Sequence, residues 1–177
     1  MRGFTLLELL IVLVIISLLV SMAAINTNRD PRIDRLNEAG EELKFLFEVV
    51  SDEAIFKDKT LGVEFSKDQI LFYERRFLPE ESDPSQLKPA WVKYEGSVRN
   101  PYSIDEDFDV TVKVDGQLTV IPFEIDVKKP SPKAIFQATG EQSLILLEIS
   151  IEDVDLVITV RGNGTGRFYK ESEQYES

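Results

Sequence analysis

The sequence predicts an α+β fold: a long N-terminal helix, membrane-spanning in its first half and amphipathic in its second, packed on an antiparallel β-sheet or a two-sheet domain. Three observations predict it. Residues 4–25 form an apolar run broken by one carboxylate, residues 33–54 carry apolar side chains at helical spacing, and from residue 59 onward short β-type runs alternate with turn signals. The chain therefore divides into a short leader at 1–3, a transmembrane helix at 4–25, an amphipathic helix at 26–58 and an antiparallel β domain at 59–177.

The apolar run, Phe4 to Ile25, has twenty-two residues with neither Pro nor Gly. As a helix it rises about 33 Å, roughly the hydrocarbon thickness of a bilayer. Arg2 precedes it and an acidic domain follows it, so the positive-inside bias places Met1 in the cytoplasm and the bulk of the chain outside. A cleaved secretory signal is the competing reading, and Ser21-Met22-Ala23 offers it a small-residue site. The three-residue polar leader and the carboxylate Glu8 near the start of the apolar core count against it.

Glu8 needs a reason, because a charge in hydrocarbon costs at least a few kcal/mol. If the chain is cut between Gly3 and Phe4, a new α-ammonium appears at the same depth, one helical turn from Glu8. It could pair with its own Glu8 or with that of a neighbour, which would reward assembly. Alternatively, Glu8 snorkels to the headgroups. The residues alone leave both readings open.

Beyond the polar stretch 26–30, Pro31 either kinks the chain or starts a fresh helix at its first turn, with Asp30 as a candidate cap. Ile33, Leu36, Leu43, Phe47, Val50 and Ala54 form one apolar stripe, while Arg35, Glu38, Glu41, Glu42 and Glu48 form the opposite face. Gly40 weakens this helix by about 1 kcal/mol and allows a close approach.

Leu61–Phe65 and Ile70–Tyr73 flank Ser66–Gln69 as a hairpin signal. Further runs are Ala90–Tyr94, Val110–Val114, Leu118–Ile121 after an Asp115-Gly116 turn, Ala134–Phe136, Leu144–Ile151, Val154–Val160 and Arg167–Tyr169. Asn163-Gly164 makes the last tight turn. Leu78–Lys88 and Asn100–Asp109 read as irregular loops, by default solvated linkers, and the tail from Lys170 as frayed.

Composition excludes several functions. Cys and His are both absent, which removes disulfides, thiolate chemistry, zinc sites built on those residues and every triad with an imidazole base. The net charge is -12, from 20 basic and 32 acidic side chains, and this repels nucleic-acid backbones. Asp105, Asp107 and Asp109 have the one-three-five spacing of a calcium loop, but Val110 and Gly116 stand where an EF-hand needs Gly and Glu. Gly162–Gly166 lacks the Lys of a phosphate loop and leads into a strand. No cofactor is called for.

Gly3-Phe4-Thr5-Leu6-Leu7-Glu8 resembles the processing site of type IV prepilins and type II secretion pseudopilins. The resemblance implies a pilin-like fold, a prepilin leader at 1–3, cleavage after Gly3 by a prepilin peptidase, N-methylation of Phe4, and Glu8 as the assembly residue. It also implies a non-enzymatic subunit whose helix end and β domain stand in the periplasm, beyond a single pass of the inner membrane. Ser51–Phe65, SDEAIFKDKTLGVEF, Ile135–Glu141 before a long strand, and the Gly-rich hairpin Arg161–Phe168 are similar to the H-class minor pseudopilins of type II secretion. That similarity implies a place near the tip of a periplasmic pseudopilus. The implied partners are the I, J and K minor pseudopilins, the major pseudopilin and the inner-membrane assembly platform. A minor type IV pilin is the alternative within the superfamily. A membrane-anchored periplasmic enzyme or binding module is the alternative outside it, and no catalytic constellation supports it.

Overall fold

The computed structural model describes residues 5–25, 30–80 and 83–174. Helix α1 spans Leu6–Ile25. Thr5 opens it, its Oγ1 accepting from the Glu8 backbone N–H at 3.3 Å, and Ser17 Oγ returns a bond to Leu13 C=O at 2.8 Å, so both hydroxyls are absorbed by the helix itself. Helix α2 spans Pro31–Phe56. Its cap is the expected one: Asp30 accepts from the Arg32 N–H at 2.9 Å, and Pro31 sits in the first turn, where no N–H is needed. Asp58, at φ 50°, takes the left-handed conformation that ends the helix and turns the chain into the first strand.

Ten strands follow. They are β1 (Leu61–Phe65), β2 (Gln69–Pro79), β3 (Leu87–Lys93), β4 (Tyr102–Ser103), β5 (Phe108–Val114), β6 (Gln117–Leu118), β7 (Ala134–Phe136), β8 (Ile145–Ile151), β9 (Leu156–Gly162) and β10 (Phe168–Gln174). They form two antiparallel sheets, one ordered β3-β2-β1-β7 with β4 beside β2, the other β10-β9-β8-β5-β6. Of the one-sheet and two-sheet expectations, the second is realised. In β8 and β9 buried residues alternate with half-buried or exposed ones, the pattern of a sheet with one face on a core.

The core lies between α2 and the two sheets. Leu36, Leu43, Phe47, Val50 and Ala54 of the predicted stripe are buried, and Ile33 is partly buried against them. Phe47 is the hub: its ring lies 5.2 Å from Phe168, 6.4 Å from Phe65 and 6.5 Å from Phe136, so one helix residue touches both sheets. Gly40 permits the contact two turns earlier. A Cβ there would stand 2.5 Å from Ile158 Cγ2 and 2.9 Å from Lys170 Cδ, so helix and sheet meet at backbone distance.

Three segments differ from the sequence reading. The loop expected at 78–88 is strand at its two ends, because β2 and β3 pair from Tyr73↔Lys93 out to Pro79↔Leu87, with Pro89 tolerated on an edge strand. The tail expected to fray from Lys170 pairs with β9 out to Gln174↔Leu156, and Lys170 Nζ is held by Asn37 Oδ1 and Glu41 Oε1, each at 3.1 Å. Of the run Leu118–Ile121 only Leu118 is strand, at the end of β6. From there the chain crosses to the first sheet and straps its outer face: Pro122 C=O accepts from Lys67 N–H at 3.2 Å, Ser131 N–H donates to Glu64 at 3.2 Å, and Lys133 N–H to Val63 C=O at 2.7 Å. Every residue of β1 is therefore buried, on both faces.

Candidate assembly surface

Of the three predicted site residues, Gly3 and Phe4 lie outside the described residues. Glu8 lies in the first turn of α1, exposed beside Leu6, Leu7 and Leu9, with no ion pair among the described residues. Every described side chain of α1 is exposed, from Leu6 at 85% to Val20 at 61%. Among the described residues no helix is long and apolar enough to cross a membrane. The described side chains of α1 end at Ser21, while its backbone continues to Ile25, and twenty helical residues rise about 30 Å. A helix with a single charge, whose described side chains are all exposed, has to be covered by lipid or by other helices.

The remaining motifs resolve into structure. Arg35 binds the carboxylates of both Asp105 and Asp107, the latter at 3.0 Å, and this holds the Asp105 carboxyl below its ordinary range. Two of the three aspartates with calcium-loop spacing are thus neutralised by a guanidinium. Among the described residues, no His, Cys, Asp and Glu groups are arranged to hold a metal ion. Asn163 organises the Gly-rich hairpin, its Oδ1 accepting from Thr165 N–H at 2.9 Å and Arg167 N–H at 3.2 Å, while Gly164 and Gly166 take positive φ. Gly166 is also crowded, since a Cβ would stand 2.9 Å from Ser51 Oγ of α2.

Sequence reasoning missed Glu53. It lies on the buried side of α2 and is 7% exposed. Tyr94 Oη donates to it at 2.5 Å, Ser97 Oγ at 2.6 Å and Ser97 N–H at 3.2 Å, and Lys57 adds an ion pair from the next turn. Burial alone would raise its pKa. The bonds from Lys57, Ser97 and Tyr94 more than offset that and pull it down to about 2. Burial, and then the bond to Glu53, push the Tyr94 phenol up to about 12. The available signal was Glu53 falling beside Val50 and Ala54, with Lys57 four residues on. This cluster pins the far end of α2 to the segment after β3 and leaves no reactive group open to a substrate.

The depressions beside α2 are open. One of about 340 Å³ is lined by Arg35, Glu38, Leu43, Tyr102 and Asp105, and another of about 360 Å³ by Phe45, Val49, Val98 and Tyr102. The geometry is that of a pilin-like subunit: an exposed N-terminal helix joined to a helix packed on two antiparallel sheets.

Residues 1–24 match the prokaryotic N-terminal methylation motif. The fold is shared with two structures of the minor pseudopilin EpsH from the type II secretion system of Vibrio cholerae. One has a TM-score of 0.55 at 14% identity, covering 77% of this chain and 96% of that one; the other has 0.55 at 16%, covering 81% and 97%. Type II secretion system protein H of Pseudomonas aeruginosa is 30% identical over 159 residues, 84% of this chain and 83% of its own. The chain belongs to the family of type II secretion system protein H.

Proposed function

We propose that the chain is a structural, non-catalytic subunit near the tip of the type II secretion pseudopilus, where it assists export of folded proteins across the outer membrane. A prepilin peptidase cuts between Gly3 and Phe4 and the new Phe4 amine is methylated. α1 then holds the chain in the inner membrane by a single pass, with α2 and the β domain in the periplasm. The partners are the I, J and K minor pseudopilins, the major pseudopilin and the assembly platform. The observation that carries the reading is Glu8. It is the one charge on a twenty-residue helix whose described side chains are all exposed, one turn from a Gly-Phe bond inside a matched methylation motif. Its partner is the terminal ammonium made by cleavage, supplied within the subunit or by a neighbour.

Mass spectrometry of the mature terminus tests the processing step: a methylated Phe4 is expected, and a chain starting at Ala24 overturns it. Glu8→Ala should leave processing largely intact and impair filament incorporation and secretion. Secretion at the unsubstituted level would sink the assembly role of Glu8.

A further inference from the structure

The β2–β3 hairpin projects past the rest of its sheet. β1 begins at Leu61, opposite Glu74, so Phe77–Pro79 have only β3 beside them. By strand alternation Tyr73, Arg75, Phe77 and Pro79 share one face, with Lys93, Trp91, Pro89 and Leu87 as their cross-strand partners. This face points away from α2: a Cβ on Gly62, the partner of Tyr73, would meet the Trp91 ring at 2.9 Å and the strap residue Pro132 at 2.6 Å. Trp91 is partly covered there, while Phe77 and Leu87 are 66% and 60% exposed. The segments 75–79 and 87–93 carry four basic side chains and no acidic one, in a chain of net charge -12. On this face Arg75 and Lys93 make no ion pair among the described residues.

The opposite chemistry stands elsewhere on the same molecule. α2 carries seven acidic side chains against three basic ones, and Asp34, Glu38, Glu41, Glu42 and Asp52 are all exposed. Along it Glu38, Glu42, Phe45, Val49, Asp52 and Phe56 follow at steps of four and three, forming one ridge. Phe45 is 69% and Phe56 85% exposed, on a face the sequence reads as polar. From Phe45 to Phe56 this ridge runs about 16 Å along the helix. From Leu87 to Trp91 the apolar row on the hairpin runs about 13 Å.

We propose that the outer face of the β2–β3 hairpin docks the exposed α2 ridge of a second copy of this chain. Phe45, Val49 and Phe56 lie over Phe77, Pro89 and Leu87, and the flanking carboxylates face Arg75 and Lys93. Since the two surfaces are different patches, the contact is heterologous: each copy keeps one free hairpin and one free ridge, so association extends instead of closing as a symmetric pair. The pairing goes beyond the secretion reading and stands or falls independently of it.

The absence of Cys makes the test direct. Differently tagged full-length chains carrying Phe77→Cys and Phe45→Cys are mixed in detergent and mildly oxidised. A Glu152→Cys chain, exposed and outside both faces, gives the background. The mixed disulfide dimer should exceed background at least tenfold. It should fall about tenfold when Arg75→Glu is added to the Phe77→Cys chain, and recover when Glu38→Lys is added to the Phe45→Cys chain. A mixed yield at background, single variants that cross-link to themselves as well as to each other, or indifference to Arg75→Glu would overturn the proposal. In cell membranes, capture by Phe77→Cys of another pilin-like subunit in place of this chain would overturn the second copy as occupant.

Discussion

Replacing Glu53 by Gln should destabilise the folded chain by an amount that depends on pH. The carboxyl titrates near 4.5 when free and near 2 in the fold, where three partners donate to it. At about 1.4 kcal/mol per unit, the ionised form contributes about 3 kcal/mol at neutral pH. Lys57 is 43% exposed, so solvent screens its share, and about 2 to 3 kcal/mol is the working figure. A lowered pKa contributes stability that is complete above the unfolded value and drains away as pH falls through the folded one. The gap between the native chain and Glu53→Gln should thus be largest from pH 6 upward, near 1 kcal/mol at pH 3, and close to nothing at pH 2. Urea melts of both chains in detergent, followed by near-ultraviolet circular dichroism, read this gap directly. A gap below about 0.5 kcal/mol at pH 7, or one unchanged between pH 7 and pH 2, would refute the claim that the Tyr94–Ser97–Lys57 cradle stabilises a buried carboxylate.

Other substitutions probe the packing. Gly40→Ala offers better helix propensity, yet should cost about 1 to 3 kcal/mol in the same melts, because its methyl would enter Ile158 and Lys170. Phe47→Ala should cost about 3 to 5 kcal/mol, since its ring joins three other phenylalanines, and the thermal midpoint should drop accordingly. The Tyr73 hydroxyl is buried without a well-formed hydrogen bond among the described residues, and burial, then the neighbouring Glu64 carboxylate, push that phenol up to about 12. Tyr73→Phe should therefore raise stability by about 1 kcal/mol; a loss of that size would show that the hydroxyl is satisfied in solution.

Much of this fold could be read from periodicity alone. The 3.6-residue stripe picked out Leu36, Leu43, Phe47, Val50 and Ala54, and all five are buried. Asp30 and Pro31 start α2 as cap chemistry requires. What periodicity could not supply was information carried by distant partners. The strand length of 75–79 was hidden because Pro79, Pro89 and the charged residues between them look like loop, while pairing with an edge strand tolerates them. β10 looked frayed because Lys170 and Glu171 are polar, yet its backbone is held by β9 and its lysine by α2. Glu53 went unassigned because Tyr94 and Ser97, which cradle it, lie forty or more residues away. At the candidate site, Glu8 was legible from charge against hydrocarbon, whereas the ammonium proposed as its partner would exist only after the proposed cleavage.

The backbone-level contact at Gly40 has a mechanical consequence. Ile158 and Lys170 fill the notch that Gly40 leaves, and Phe47 sits two turns further along among three rings from both sheets. A pull on the membrane end, directed along the axis of α2, has to drag the notch and the ring past their neighbours at the same moment. Interdigitated side chains resist such sliding together. The far end of α2 is tethered as well, through the bonds from Tyr94 and Ser97 to Glu53. The helix therefore acts as a keyed shaft: axial load on the first turn of α2 reaches the β domain at Gly40, Phe47 and Glu53 together.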